Sequence, residues 1–358
     1  SVVPGSAMPF GSFASPIQFY LYGRRHCTAN GWRRASANYD LSYLDSVSLE
    51  GRVCVVTGAN AGIGRCLSGY LAGRGATLYM VCRNEERAKT ARDEIISESG
   101  NRKVETLIGD VGRPDDVCRI VAELSSREAQ GVDVLVCNAG AITPKRTITP
   151  EGFEVTLASQ LIFGCHLLSA LCVPLLRRRA SAGGDPRVIF VSSGGMYNGK
   201  FPSWEMANSE PTASGGMPKY NPELAYVYAK RGQVLLAEKL SERHAADGPA
   251  IPFVSCHPGW TDTPGVEGWL GSGKVALAPL RTLWQGTEGI AWLCTCPGAE
   301  LEAGAFYLDR KPRTKHLAGP FFTEGSFTKN SPEEVAELME RLDKSIAPWC
   351  KETDGGKQ

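Results

Sequence analysis

Tyr226 and Lys230 stand four residues apart in a stretch with helical spacing, Tyr226-Val227-Tyr228-Ala229-Lys230. Four residues make about one turn, so the phenol and the ammonium share a helix face. A free phenol titrates near ~10, and an adjacent ammonium favours phenolate and lowers that value. The pair reads as a tuned phenol. Tyr226 is then the general acid of a carbonyl reduction, giving its proton to oxygen while hydride reaches carbon. Tyr228 has Gly232 four residues on, so it lacks a matching lysine and reads as a packing residue. Tyr/Lys pairs also decorate ordinary helices, and the neighbourhood decides between the two readings.

A second group of residues suits phosphate. The turn Thr57-Gly58-Ala59-Asn60-Ala61-Gly62-Ile63-Gly64 follows the apolar run Val53-Cys54-Val55-Val56 and leads into a helical pattern near Arg65. A strand turning abruptly into a helix leaves unpaired N–H groups and a partial positive charge at the helix start, both suited to a pyrophosphate. Glycines there permit a tight turn, close backbone approach and close helix packing. The spacing Gly-x-x-x-Gly-x-Gly is one residue wider than the usual dinucleotide fingerprint. Such glycines also serve purely structural ends. At the end of the next apolar run stand Cys82 and Arg83, with no acid before Glu85. An acid there would bind a ribose 2′-hydroxyl and favour NAD, whereas a guanidinium matches a 2′-phosphate, so the cofactor expected is NADP rather than NAD.

These residues need a scaffold. After Ser48, β-branched runs at 53–57, 77–82, 104–108, 132–138, 188–192, 253–256 and 305–308 alternate with helical patterns near 63–74, 84–98, 115–128, 150–178, 222–243 and 285–294. That alternation predicts an α/β fold, a doubly wound parallel sheet of the Rossmann type in a single domain. Ligands of such sheets bind beyond the carboxyl ends of the strands. Six of the expected ends carry polar or special residues: Thr57, Arg83, Asp110, Asn138, Ser193 and His257 to Gly259. Each alone is ordinary loop chemistry; together on one edge they form a site.

With 358 residues, 42% hydrophobic, 22% charged and a net charge of +1, the chain carries no large field of one sign, and nucleic acid is not an expected partner. Of the twelve cysteines, Cys54, Cys82, Cys137 and Cys256 fall in strand-like runs and read as reduced, buried thiols. Cys294-x-Cys296 has no second pair at zinc spacing, so no metal is expected. The most apolar window, 155–176, is interrupted by Gln160, His166 and Pro174 and reads as a buried helix, at a dimer interface, rather than a membrane span.

From Leu49 to about Leu317 the chain resembles the short-chain dehydrogenase/reductase superfamily. The motifs are Thr57-Gly58-x-x-x-Gly62-Ile63-Gly64, Asp110, Asn138-Ala139-Gly140, Ser193, Tyr226-x-x-x-Lys230 and Pro258-Gly259. The resemblance implies that Ser193 steadies the carbonyl oxygen and that Lys230 also bonds the nicotinamide ribose. It implies that Asp110 accepts from the adenine amino group, that Val111 packs on the ring, and that Asn138, Ala139 and Gly140 back the cofactor. Asn60 in the glycine turn, and Pro258, Gly259, Thr261 and Thr263 after the sixth strand, complete the expected cofactor contacts. Many members hold a relay water with an asparagine where Gln160 stands here; glutamine keeps the amide but moves it by one methylene. Cys137 replaces the first asparagine of a common Asn-Asn-Ala-Gly run. The helices near 150–178 and 222–243 build a four-helix dimer interface in many relatives, so a homodimer is a further expectation.

Residues 1–48 carry Arg24, Arg25, Arg33 and Arg34 with no acid before Asp40. They read as an organelle-targeting segment, mitochondrial or other, or as a basic aromatic arm lying on a membrane or partner, with a cytoplasmic, membrane-peripheral location as the alternative. Residues 49–317 form the expected domain and 318–358 a C-terminal extension. The long interval between Ser193 and Tyr226 holds Phe201, Trp204, Met206 and Met217, which suggest an apolar pocket for a lipophilic ketone, aldehyde or alcohol, or else a small loop cluster. The leading expectation is an NADP-dependent oxidoreductase. The competing one is an accessory subunit of a larger organellar membrane complex that keeps the fold and a bound nucleotide.

Overall fold

Each β-branched run becomes a strand because alternate side chains are buried against different helix layers. In β1, Val53–Thr57, every residue is buried. Val53 and Val55 join one core cluster while Cys54 and Val56 join the other. The computed structural model describes residues 11–40, 42–210, 220–245, 250–317 and 328–350. The remaining strands are β2 (Thr77–Cys82), β3 (Val104–Ile108), β4 (Val134–Cys137), β5 (Arg187–Val191), β6 (Phe253–Cys256), β7 (Phe306–Leu308) and β8 (Lys311–Arg313). They form one sheet in the order β3-β2-β1-β4-β5-β6-β7-β8, parallel except for β8. The parallel Rossmann sheet expected from the sequence is therefore present, with one antiparallel edge strand added. A hairpin turn with Asp309 and Arg310 at φ 58° and 57° makes that addition. β5 begins one residue early, at Arg187, whose fully buried guanidinium donates to the carbonyls of Leu293 and Cys296 at 3.1 and 2.6 Å.

The helices follow in chain order. The arm holds α1 (Gly11–His26), α2 (Ala29–Ser36) and α3 (Tyr43–Ser46). Then come α4 (Gly62–Gly73), α5 (Glu85–Ser99) and α6 (Pro114–Arg127). A long helix over 155–181 divides into α7 (Val155–Leu157), a π-helical stretch (Ala158–Leu167) and α8 (Leu168–Ser181). It starts five residues later than expected, where the Glu154 carboxylate caps the N–H groups of Thr156 and Leu157 at 3.0 and 2.9 Å. α9 (Trp204–Ala207), α10 (Pro222–Ala245), α11 (Pro264–Leu270), α12 (Leu283–Thr295) and α13 (Pro332–Cys350) complete the set. Residues from α4, α5 and α12 cover one face of the sheet, and those from α6, α8, α10 and the π-helical stretch cover the other.

Two segments outside the expected domain pack onto it. α13 buries Leu338, Leu342 and Ile346 and sets Trp349 edge-on to Phe163 at 5.5 Å. Its Asp343 bonds His166 at 2.8 Å and Arg243 at 2.8 Å, tying it to the π-helical stretch and α10. Both carboxylate partners hold Asp343 below the usual carboxylate range against the opposing effect of its partial burial. α13 thus lies against the two helices that the resemblance assigns to a dimer interface. The helix over 155–181 is long and apolar enough to cross a membrane, but most of it is buried inside this fold. No disulfide joins any of the twelve cysteines, and Cys54, Cys82, Cys137 and Cys256 are buried.

Candidate active site

The carboxyl ends of β1, β2, β4, β5 and β6 open into one cavity of about 1760 Å³. That exceeds the ~300–1,000 Å³ of an ordinary small-molecule site, leaving room for a dinucleotide and a second molecule. Its floor on the β1 side is the glycine turn. Gly62 sits at φ +53°, a conformation that disfavours side chains, and Ala61 before it gives α4 no side-chain cap. A Cβ on Gly64 would lie 2.2 Å from the Gly58 carbonyl oxygen and 2.6 Å from Asn138 Nδ2, so the helix can approach the turn only with glycine there. The result is an uncapped helix N-terminus facing the cavity, with no acid in its first turn. This cradle fits a pyrophosphate.

Gly58, Asn60, Gly62, Ile63 and Gly64 line the cavity, and so do Arg83, Asp110, Val111, Asn138, Ala139, Gly140, Pro258, Gly259, Thr261 and Thr263. Thr57 does not; it is fully buried. Its hydroxyl accepts the N–H groups of Asn138 at 3.0 Å and Ala139 at 2.9 Å. Thr57 is therefore a brace between β1 and β4 rather than a cofactor contact. The Asn138 amide donates to the Thr57 carbonyl at 2.9 Å and holds the same joint. Asp110 accepts from the Gly112 N–H at 2.8 Å and has its own N–H taken by Asp116 at 2.9 Å, which fixes the turn after β3. Arg83 is exposed at the end of β2 and is joined on the wall by Arg87 from the first turn of α5.

The reacting groups converge from β5 and α10. Ser192 and Ser193 divide the work: Ser192 is buried and donates to the Lys230 carbonyl at 2.8 Å, locking α10 to β5. Ser193 accepts from the Gly195 N–H at 3.1 Å and faces the Tyr226 phenol. Lys230 Nζ lies 5.4 Å over the Tyr226 ring and donates to the Val191 carbonyl at 2.9 Å. Burial lowers the Lys230 ammonium to about 8. Burial also raises the Tyr226 phenol, and the Ser193 hydroxyl opposes that only in part. The expectation of a depressed phenol is thus corrected. The ammonium stands over the ring face, bonded to a backbone carbonyl, and desolvation dominates at the hydroxyl. Tyr228 reaches the cavity too, but its hydroxyl goes to Met206 Sδ at 3.7 Å.

Gln160 is not on the cavity wall. It is fully buried, and its Nε2 donates to the Ala141 carbonyl at 2.7 Å. Its Oε1 has no partner among the described residues. A Cβ on Gly140 would lie 2.9 Å from that oxygen and 3.3 Å from Lys230 Nζ, so both groups approach the same glycine of the β4 turn. The π-helical stretch sets this position. The Leu168 N–H reaches back five residues to the Phe163 carbonyl, and a Cβ on Gly164 would lie 1.8 Å from the Ser159 oxygen.

The expected apolar loop divides as well. Phe201 and Trp204 are buried in the main core and only Met206 reaches the cavity; Met217 lies outside the described residues. The apolar wall comes instead from the arm. Ser15, Pro16, Phe19 and Tyr20 of α1 line the cavity together with Trp260, Leu277 and Leu280. Phe19 stands edge-on to Trp260 at 6.0 Å, and a Cβ on Gly23 would lie 2.1 Å from that indole. Arg281, only 1% exposed, anchors the arm. It pairs with Asp309 at 2.6 and 2.8 Å and donates to the carbonyls of Cys27 at 2.9 Å and His26 at 2.7 Å. His257, at the end of β6, also lines the cavity with both ring nitrogens unpartnered among the described residues. Burial and the nearby Arg281 charge push its imidazole down to about 3, so it is neutral. Arg87 was legible as a second cation after Arg83; no periodicity signals the arm's part.

Comparison with known proteins agrees with this architecture. The family model described as short chain dehydrogenase matches residues 52–205. The bovine (Bos taurus) dehydrogenase/reductase SDR family member 12 is 36% identical over 327 residues, covering 91% of this chain and 95% of that protein. Human (Homo sapiens) retinol dehydrogenase 12 is 30% identical over 214 residues, covering 60% of this chain and 63% of its own. Among solved structures, a short chain dehydrogenase from Escherichia coli complexed with NADPH superposes with a TM-score of 0.56 at 19% identity, covering 74% of this chain and 98% of the other. That last likeness is one of fold.

Proposed function

Because the chain belongs to the short-chain dehydrogenase/reductase family, we propose that it is an NADP-dependent oxidoreductase acting on a lipophilic carbonyl or secondary alcohol. One observation carries the reading. A single cavity joins an uncapped, glycine-built helix N-terminus and two arginines on the β1 and β2 side to Ser193, Tyr226 and Lys230 on the β5 side. A bound nicotinamide cofactor supplies or takes up the hydride. Arg83 and Arg87 supply charge for a 2′-phosphate where a carboxylate would repel it.

Ser193 and Tyr226 converge on the oxygen of the substrate. Their hydroxyls stabilise negative charge as it develops there, and Tyr226 donates the proton. At neutral pH the Tyr226 phenol, raised by burial, holds the proton that carbonyl reduction requires. Lys230, lowered only to about 8, remains mostly ammonium at neutral pH and supplies positive charge beside the phenol. The unpartnered Gln160 oxygen lies behind Gly140 near Lys230, where one buried water would bridge them and return a proton to the site. Phe19, Trp260, Leu277 and Leu280 give the substrate an apolar surround. One relative being named for retinol is consistent with a lipophilic substrate.

The test is NADPH oxidation by the purified chain against a panel of lipophilic carbonyls. Activity on at least one member, abolished in Tyr226→Phe, supports the assignment; a rate unchanged by that substitution removes it.

A further inference from the structure

Large apolar side chains on the outside of this protein are concentrated around one opening. Among the described residues nine are exposed, and Tyr20, Met206 and Leu224 of these line the cavity directly. Ile17, Tyr20 and Leu21, at 61, 44 and 64% exposure, form one stripe on α1 at the spacing i, i+3, i+4. Across from them Val275, in the short helical turn Gly271–Leu277, is 74% exposed. The two sides are tied together: Tyr20 donates its hydroxyl to the Ala276 carbonyl at 3.4 Å and Arg24 donates to the Ala278 carbonyl. Pro16 and Tyr20 on one side, with Ala276 and Leu277 on the other, also line the cavity. The stripe is therefore the lip of the site.

Charge singles out the partner. Arg24, Arg25, Arg33 and Arg34 are all exposed on α1 and α2, and the chain has no acid before Asp40. Their guanidinium contacts run to neutral oxygens, Arg33 to Asn30 and Arg34 to the Arg25 carbonyl. No carboxylate among the described residues pairs with any of the four. A second copy of the chain, with a net charge of only +1 and both signs interspersed, offers no matching acidic field. Exposed aliphatic groups beside unpaired arginines match a bilayer surface, where apolar groups enter the acyl boundary and cations meet anionic headgroups.

We infer that the face formed by α1, α2 and the 271–277 turn docks on an anionic lipid surface, with the mouth of the cavity against the bilayer. A lipophilic substrate would then enter from the membrane without crossing water. That consequence, unlike the docking itself, rests on the function proposed above. The arm cannot swing freely to do this. It is fixed to the domain by Arg281 and by Gly23 packed on Trp260, so the lip reaches the membrane as part of a rigid body.

The experiment is co-sedimentation of the full chain with phosphatidylcholine vesicles, with and without phosphatidylserine, at low and high salt. Binding should require phosphatidylserine and weaken with salt. Arg24→Gln and Arg25→Gln should each lower partitioning about fivefold, and Ile17→Glu/Leu21→Glu about tenfold or more even at low salt. None of these side chains lines the cavity, so NADPH binding and circular dichroism should be unchanged. Failure to sediment with anionic vesicles, equal sedimentation of all variants, or self-association through this face in place of vesicle binding would overturn the inference. Turnover of a water-soluble carbonyl without vesicles is read separately, so loss of the docking claim leaves the proposed chemistry intact and the reverse.

Discussion

Replacing Arg83 by glutamine removes one full charge from the end of β2 while keeping a polar side chain of similar reach. The magnitude follows from where the group sits. A guanidinium about 4 Å from a phosphate gains about 4 kcal/mol at an effective dielectric of ~20 and about 1 kcal/mol in bulk water. Arg83 is exposed on the rim of the cavity, which places it between those limits, at about 1–3 kcal/mol. NADPH affinity in Arg83→Gln should therefore fall about 5- to 150-fold. NADH carries no 2′-phosphate, and its affinity should stay within about twofold. Arg87→Gln should show the same selectivity, and the double variant should lose less than the sum, because both cations would serve one phosphate. Titration of nucleotide fluorescence with the native chain and each variant gives all eight constants. If NADPH and NADH weakened in parallel, or if the native chain bound NADH as tightly as NADPH, the arginine argument would be wrong.

Two other outcomes follow from the buried groups. Lys230 holds its proton up to about pH 8 while Tyr226 stays protonated beyond it, so kcat/KM for carbonyl reduction should decline above pH 8; a profile flat to pH 10 would contradict the role given to the ammonium. The same group affects stability: between about 8 and the unfolded lysine value the unfolded chain binds the extra proton, so the Lys230 contribution to stability rises with pH across that window. Arg281→Met leaves Asp309 buried without its partner, at about 3–5 kcal/mol, and Tm should fall by roughly 5 °C, with part of the loss recovered in Arg281→Met/Asp309→Asn, whose uncharged side chain keeps the left-handed backbone at φ 58°. Calorimetry showing an unchanged Tm in the single variant would mean the arm is not held as described.

The parallel sheet was legible because its central strands β1, β4, β5 and β6 are short runs buried on both faces and largely apolar, which the sequence pattern reports well. The ends were harder to place. Arg187 hides the start of β5, because a guanidinium buried by carbonyl acceptors looks in sequence like a surface residue. The edge strand β8 has too few residues and too exposed a surface to leave a pattern. In the site, Tyr226, Lys230 and Ser193 were found from helix spacing and strand ends together with the family motifs. Thr57 was not placed correctly, since a hydroxyl beside a ligand and one bracing a turn have the same sequence, and Gln160 lies behind the β4 turn rather than on the cavity wall. The pocket wall from α1 was beyond reach for a different reason. It is formed by tertiary contacts between residues more than 200 positions apart, such as Arg281 with His26. Local composition marks those arm residues as basic and aromatic without saying what they cover.

The most direct test follows the hydride itself. With NADPH deuterated at the transferable position and a lipophilic ketone, mass spectrometry of the alcohol formed should show one deuterium on the former carbonyl carbon. Tyr226→Phe should bind the same cofactor with nearly native affinity yet form no labelled alcohol. Unlabelled alcohol from the native chain, or labelled alcohol at an undiminished rate from Tyr226→Phe, would contradict hydride transfer at a Ser193, Tyr226 and Lys230 site.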